Sequence, residues 1–250
     1  TAQVRTLLDA GYREIVLTGV DLTSYGKDLP GTPTLGAMLK RLLTLVPELE
    51  RLRLSSIDPA EVDPDLEELI TRDPRVMPHV HLSVQAGSDL VLKRMKRRHL
   101  RDDVVRLTER LRAKRPELAF GADLITGFPT ETDAQFADTL DLVDEAGLSF
   151  LHVFPYSPRP GTPAARMPQV EPRVRKERAA ALRAKGEAAL TRLFERLVGG
   201  EHAVLVERGG RGHTPHFAPI VLEGPAAAGA LVRARASGHR DGWLQGKVAA

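Results

Sequence analysis

The sequence of 250 residues contains no cysteine. This absence excludes disulfide bonds, a cysteine nucleophile, a thiolate zinc site and any iron–sulfur cluster held by cysteines of this chain. Long apolar runs are also missing, since none approaches the ~18 residues that a membrane-spanning helix needs. The first residues include no apolar segment followed by a small-residue cleavage site, so nothing predicts export. We therefore expect a cytoplasmic protein without membrane contacts.

The chain also has little excess charge. It carries 36 Lys and Arg against 33 Asp and Glu, which gives a net charge of +3. This value is too small for a protein that binds nucleic acid by charge alone. A chain of this length buries roughly 70–75% of its unfolded surface, so a hydrophobic core can hold it without disulfides or metal.

An α/β fold is predicted by the alternation of strand and helix patterns in the first 157 residues. Apolar or alternating segments predict strands, and apolar residues at helical spacing predict helices between them. Such units place the strands parallel, with helices outside, in a doubly wound sheet or a barrel. The predicted strands are 13–19, 51–57, 79–85, 120–127 and 150–157, and the predicted helices include 1–10, 34–45, 63–72, 101–115 and 132–146.

The composition changes after the fifth predicted strand. Residues 158–170 are rich in proline and glycine, and 171–198 have the pattern of a long charged helix. From residue 199 onward, short strand patterns are separated by glycines, which is typical of a small all-β domain. We therefore predict one domain over 1–170, a linking helix over 171–198 and a β domain over 199–250.

Polar segments follow each of the predicted parallel strands. In both parallel architectures, binding groups gather at the carboxyl ends of the strands. Taken singly, each segment is equally typical of an ordinary loop, turn or helix start. The segments are TGVDLTSYG (18–26), SSIDPAE (55–61), SVQAGSD (83–89), ITGFPTET (125–132) and PYSPRPGT (155–162).

The third strand carries two histidines. Its alternation places His79, His81, Ser83 and Gln85 on one face, which would line the interior of a barrel and meet a polar ligand. Two histidines at this spacing also suit a metal ion, but no third ligand has a matching sequence context. We therefore expect no metal site.

Residues 93–115 carry eleven basic and three acidic residues. The stretch is either a phosphate-contacting patch or a solvated helix face, which is the usual meaning of a charge run. The proline-rich loop and the β domain add further arginines that suit phosphate. The candidate RNA contacts are Lys93, Arg94, Lys96, Arg97, Arg98, Arg159, Arg233 and Arg235.

Taken together, these segments resemble the radical-SAM methylthiotransferases over essentially the whole chain. The segments that carry the resemblance are LTGVDLTSYG, LRLSSIDP, PHVHLSVQAGSDLVLKRMKRRH, GADLITGFPTET and LHVFPYSPRPGTPAARMP, in this order and spacing. Residues 199–250 resemble the small RNA-binding TRAM domain of that family. The resemblance implies a partial TIM-type (βα)6 barrel that lacks its first strand, followed by a TRAM-like β domain.

The resemblance also implies an activity and its cofactors. The chain is most similar to the subgroup that adds a methylthio group to C2 of N6-threonylcarbamoyladenosine, in the anticodon loop of tRNA. Relatives acting on isopentenyladenosine tRNA or on an aspartate of a ribosomal protein are alternatives. The implied cofactors are S-adenosylmethionine and [4Fe–4S] clusters, which an external reductant supplies with electrons.

This sequence lacks the CxxxCxxC loop that binds the radical-generating cluster in that family. We therefore expect a C-terminal part of a longer enzyme, without catalytic residues of its own and inactive alone in the radical step. A non-enzymatic RNA-binding protein on a degenerate barrel is the alternative from another class. An aldolase-like enzyme ranks last, because the strand ends offer no lysine nucleophile.

The resemblance implies that the strand ends hold S-adenosylmethionine. The 18–26 loop would meet its amine and carboxylate, and Ser55 and Gln85 its sugar or methionine. Asp123 and Gly127 would lie behind the ribose and adenine, and Pro155 and Tyr156 beside the adenine. The full set is Thr18, Gly19, Asp21, Ser24, Tyr25, Gly26, Ser55, Gln85, Asp123, Gly127, Pro155 and Tyr156.

Overall fold

The computed structural model describes residues 1–249, and its first part alternates helices and strands as the sequence predicts. Strands β1 and β2 are shorter than predicted, because their glycine or serine ends leave the hydrogen-bonded ladder. The elements are α1 Ala2–Asp9, β1 Glu14–Leu17, α2 Leu35–Leu45, β2 Arg51–Leu54, α3 Pro64–Arg72, β3 His79–Gln85, α4 Asp89–Arg94, α5 Arg101–Lys114, β4 Ala119–Thr126, α6 Asp133–Glu145, β5 Leu148–Pro155 and α7 Pro172–Leu197.

The five strands are parallel and lie side by side in chain order. β1 pairs with β2, and β3, β4 and β5 form a second ladder. Two single parallel bridges, Leu52 to Val76 and Ile57 to Leu82, join the two ladders. The predicted α/β class is confirmed as an open arc, in which β1 and β5 are not paired with each other within residues 1–249.

The helices cover one face of the arc and form the main core with it. Leu52, Leu82 and Phe120 of the sheet pack with Leu39 and Leu107 of the helices, and all five are almost fully buried. Burial of each such side chain stabilises the fold by about 1.5–3 kcal/mol. The opposite face, here called the inner face, carries polar residues at alternate positions of β2 and β3 and a mixture of polar and aromatic residues on β5.

Helix α7 does more than link two domains. Leu182 and Ala189 are buried in the core of the arc, whereas Leu193, Phe194 and Leu197 are buried with residues of the β domain. One helix therefore serves both cores. The division into 1–170, 171–198 and 199–250 stays a prediction.

Residues 201–248 form a closed five-stranded barrel. Its strands are β6 Glu201–Val206, β7 Arg211–His213, β8 Pro219–Glu223, β9 Leu231–Arg240 and β10 Trp243–Val248, in the order β10-β8-β7-β6-β9. The predicted all-β character is confirmed. The sequence gives no indication of β7, because two polar residues around a glycine have neither alternation nor an apolar run.

The β barrel packs against the amino ends of the parallel strands. Arg51 donates to the carbonyl of Ala203 at 3.1 Å, and Arg53 donates to that of Pro215 at 3.2 Å. Glu14 of β1 bridges both arginines. The carboxyl ends of the strands therefore stay uncovered by the barrel. None of the helices in the described part of the chain is long and apolar enough to cross a membrane.

Candidate functional site

The predicted cofactor residues lie along one edge of the arc, at the carboxyl ends of the strands. The Ser55 N–H donates to the Leu17 carbonyl at 2.9 Å, which places the ends of β1 and β2 together. The register pairs Gln85 with Leu124, and Thr126 with Pro155. The structure thus brings the five segments side by side, while their contacts with a cofactor stay predictions.

The 18–26 loop is organised by Asp21. Its carboxylate accepts hydrogen bonds from Ser24 at 2.6 Å and from Thr23 at 3.3 Å. The Ser24 hydroxyl and the nearby Arg98 guanidinium hold the pKa of Asp21 below its ordinary value. Gly26 has a φ of +84°, and a Cβ there would lie 1.8 Å from the Pro33 carbonyl oxygen, so this turn accepts only glycine. Thr18, Gly19 and Tyr25 are exposed.

Asp58 ties the end of β2 to the turn between α4 and α5. Its carboxylate accepts from Arg97 at 3.0 Å and from the Ala60 N–H at 2.9 Å, and the His99 imidazole lies 3.6 Å away. Burial alone would raise the pKa of Asp58, but these groups outweigh it and lower the pKa to about 2. The sequence gives no indication that Asp58 meets Arg97, because the two residues lie 39 positions apart.

Four of the predicted RNA-contacting arginines have partners within this chain: besides Arg97 and Arg98, Arg94 donates to the Thr130 carbonyl at 3.4 Å and Arg235 to the Gly199 carbonyl at 3.2 Å. Arg97 also donates to the Ser83 carbonyl at 2.8 Å, and Arg98 pairs with Glu61 and, at 3.4 Å, with Asp21. Lys93 and Lys96 are exposed in the same region. Arg233 and Arg235 lie on β9 beside β6, next to the amino ends of the parallel strands. The predicted RNA contacts are thus divided between the two ends of the arc.

Ser55 and Gln85 have features that suit a ligand. The Ser55 Oγ is buried and has no hydrogen-bond partner among the atoms of residues 1–249. An unsatisfied buried hydroxyl is costly and needs a partner such as a ligand atom. Gln85 has a φ of +74°, a left-handed conformation that costs about 1–3 kcal/mol outside glycine.

The turn after β4 is held by Glu131, which sequence reasoning missed. Its carboxylate accepts from the Gly127 N–H at 2.7 Å and pairs with Arg178 at 2.7 Å. Burial raises the pKa of Glu131, and the Gly127 N–H and Arg178 only partly oppose this effect. Gly127 has a φ of +69°, and a Cβ there would lie 2.2 Å from Arg175 Cγ.

Tyr156 and Pro155 lie beside this turn. The Tyr156 N–H donates to the Thr126 carbonyl at 2.8 Å, and Arg175 donates to the Tyr156 carbonyl at 2.7 Å. The Tyr156 ring packs edge-on against Phe128 at 5.3 Å. Pro155 and Arg159 are exposed. An aromatic wall therefore borders the carboxyl edge at the predicted adenine position.

Asp123 lies deeper on the inner face than the other predicted cofactor residues. Its Oδ1 is 3.1 Å from His81 Nε2 and 3.1 Å from His152 Nδ1, and its Oδ2 accepts from Ser56 at 3.2 Å. Burial would raise the pKa of Asp123, but the two imidazoles outweigh it and hold the pKa below its ordinary value. Both carboxylate oxygens are therefore already engaged by side chains of this chain.

The same three side chains could hold a metal ion, and the expectation that the chain has no metal site stays a prediction. The sequence pairs His79 with His81, whereas the structure pairs His81 with Asp123 and His152 and brings three possible ligand atoms within 4.8 Å of one another. His79 instead packs against Phe150 and Phe217, at 5.1 Å from each ring. In the sequence, His152 alternates with Phe150 along β5, and this alternation could have predicted that the two side chains lie on the same face of the strand.

Comparison with known proteins gives consistent results. A sequence profile of the Radical SAM superfamily matches residues 1–143. The threonylcarbamoyladenosine tRNA methylthiotransferase MtaB of Rickettsia prowazekii is 52% identical over 98% of this chain and 58% of that protein. The tRNA-2-methylthio-N(6)-dimethylallyladenosine synthase of Erythrobacter litoralis is 40% identical over 92% of this chain and 54% of that protein.

A solved structure supports the fold. Coproporphyrinogen III oxidase (HemN) from Escherichia coli, a radical SAM enzyme, matches with a TM-score of 0.52 and 22% identity, over 70% of this chain and 41% of that one. The chain spans about half the length of the relatives that it matches. The resemblance found in the strand-end segments is confirmed, and the profile match over more than half of the residues shows that this chain belongs to the radical SAM superfamily.

Proposed function

We propose that this chain is the S-adenosylmethionine- and tRNA-binding part of a methylthiotransferase. The proposed reaction adds a methylthio group to C2 of N6-threonylcarbamoyladenosine in the anticodon loop of tRNA. The observation that carries the proposal is the 52% identity, over 98% of the chain, to a relative named for this reaction. Dimethylallyladenosine tRNA is the second candidate substrate, because the relative named for it is 40% identical.

The carboxyl edge of the arc fits S-adenosylmethionine. The unpartnered Ser55 hydroxyl can donate to a sugar or amino acid oxygen. The Phe128 and Tyr156 rings offer an apolar wall to an adenine. When bound, this cofactor supplies the adenosyl and methyl groups, while the residues of this chain bind and orient it.

The residues of this chain do not fit an iron–sulfur cluster. Protein-bound [4Fe–4S] clusters are held mainly by cysteine thiolates, and the sequence contains no cysteine. We therefore derive no radical step from these residues. In the proposal, the cluster ligands belong to the remaining length of the full protein, together with the site that receives electrons from a reductant.

The β barrel of residues 199–250 is the proposed RNA-binding unit. Arg233 and Arg235 are exposed on β9, and Lys93 and Lys96 are exposed near the carboxyl edge. Phosphate contacts at both places would orient one RNA along the arc. A tRNA substrate would place the protein in the cytoplasm.

The activity is tested with the full-length gene product, reconstituted anaerobically with iron and sulfide. We expect mass spectrometry of digested tRNA to detect 2-methylthio-N6-threonylcarbamoyladenosine after reaction with S-adenosylmethionine and a reductant. A matched reaction uses tRNA carrying isopentenyladenosine. If only that tRNA gives a product, the assignment moves to the second substrate. If a cluster-loaded protein gives no product from either tRNA, the proposal is contradicted.

The RNA contacts are tested by reversing the charge of Lys93 and Lys96. Arg97 and Arg98 are less suitable, because their charge reversal would also break the pairs with Asp58 and Glu61. We expect the double variant to bind tRNA more weakly and its salt dependence to fall by about 2 units of log–log slope. The matched control reverses Arg41 and Arg72, which are exposed on α2 and α3. Equal slopes for the two variants would contradict the contact.

A further inference from the structure

The cluster of His81, Asp123 and His152 on the inner face has the composition of a metal site. The three residues lie on the neighbouring strands β3, β4 and β5, and each offers one ligand atom. Two imidazoles and one carboxylate are ligands of zinc and of other first-row divalent metals. We propose that these three side chains bind one divalent transition-metal ion, with Zn²⁺ as the expected occupant. This inference goes beyond the proposed function.

The distances suit such an ion. His81 Nε2 and His152 Nδ1 each lie 3.1 Å from Asp123 Oδ1. Ligand atoms bound at about 2.0–2.2 Å in a tetrahedron are about 3.3 Å apart. All three atoms here lie within 4.8 Å of one another, so binding requires the side chains to close around the ion. The ion would replace the hydrogen bonds between the imidazoles and the carboxylate. One carboxylate between two neutral imidazoles carries the negative charge that a divalent cation requires.

The surrounding backbone fixes the ligands. The register of the sheet places Asp123 opposite His152, and His81 opposite Gly121. A Cβ at Gly121 would lie 2.4 Å from His81 Nδ1, so this glycine makes the space that the His81 ring occupies. Ser56 donates to Asp123 Oδ2 at 3.2 Å, which leaves Oδ1 directed at the imidazoles. Such supporting hydrogen bonds are typical of metal-ligating carboxylates.

The exposure of the ligands indicates an open coordination position. The His81 side chain is 8% exposed and that of Asp123 is 21% exposed, whereas the His152 side chain is 60% exposed. Three protein ligands with one solvent-facing side are characteristic of zinc sites that also bind water or a substrate oxygen. In this arrangement Asp123 binds the metal ion instead of lying against the ribose of the cofactor.

Metal titration of the chain tests the proposal. Because the chain has no cysteine, thiolates cannot compete for the metal. After chelator treatment, we expect calorimetry to detect one equivalent of Zn²⁺, and Co²⁺ to give the visible absorption of a tetrahedral site. We expect His152→Ala and Asp123→Asn each to weaken Zn²⁺ binding at least tenfold.

The matched control is His213→Ala. His213 lies 2.8 Å from the Glu207 carboxylate and forms a similar pair without a second imidazole. The His213→Ala variant should therefore still bind one equivalent of Zn²⁺. Circular dichroism verifies the fold of each variant, and His152→Gln replaces any alanine variant that unfolds. Two results would overturn the site: no bound equivalent of Zn²⁺ in the wild type, or wild-type Zn²⁺ affinity in the His152 and Asp123 variants. Either would show that the three side chains form only a hydrogen-bonded network. Neither result bears on tRNA modification.

Discussion

We expect Arg178→Met to lower the free energy of unfolding by about 3–5 kcal/mol, the range for removing one partner of a buried ion pair. The Arg178 side chain is 8% exposed and pairs with the Glu131 carboxylate, which is 1% exposed. Without the guanidinium, that carboxylate would stay buried with the Gly127 N–H as its remaining hydrogen-bond donor in the described structure. The turn that follows β4 would lose its support at the same time.

Urea unfolding at neutral pH measures this effect, and a second variant of the same helix controls for it. Arg173 pairs with Glu177 at 3.0 Å, but the two side chains are 78% and 58% exposed. Exposed pairs of this kind contribute less than about 1 kcal/mol, so Arg173→Met should unfold nearly as the wild type does. Similar losses in the two variants would show that Glu131 does not depend on Arg178.

The second large effect is a loss of stability in acid that depends on Asp58. The pKa of this carboxyl is about 2 in the folded state, whereas an unperturbed Asp has a value near 3.8. A lowered pKa means that the folded state favours the ionised carboxylate. The difference contributes about 2 kcal/mol above roughly pH 4, and this contribution is lost as the pH falls from about 4 to about 2.

Asp58→Asn should therefore remove about 2 kcal/mol at pH 7 and little near pH 2. Its pH profile of unfolding free energy should be flatter than that of the wild type in this window. The control is Asp102→Asn, since Asp102 is highly exposed and 3.7 Å from Arg106. If the unfolding free energy of Asp58→Asn falls with pH in parallel with that of the wild type down to pH 2, other carboxyls cause the acid sensitivity.

Local patterns in the sequence determined the element types and the order of the strand ends. Alternation and helical spacing give all five parallel strands and their helices, because each element must bury one face. The N-cap of α3 was also predictable, since Asp63 accepts from the Asp65 and Leu66 N–H groups and Pro64 follows it. Strand β7 was not, because its three residues, two of them polar around a glycine, are held by neighbouring strands of the closed barrel.

Tertiary structure alone decided which polar side chains meet. His81 and His152 lie 42 and 29 positions from Asp123, yet the parallel register sets all three on one face, with His152 opposite Asp123 and His81 opposite Gly121. Asp58 likewise reaches Arg97 across 39 positions. Such pairings depend on the register between neighbouring strands. Alternation in the sequence fixes the face on which a residue lies, but a register shift of two residues would keep that face, so alternation does not fix the register. The sequence by itself thus determined the family and the order of the strand ends, and the register determined which polar side chains meet.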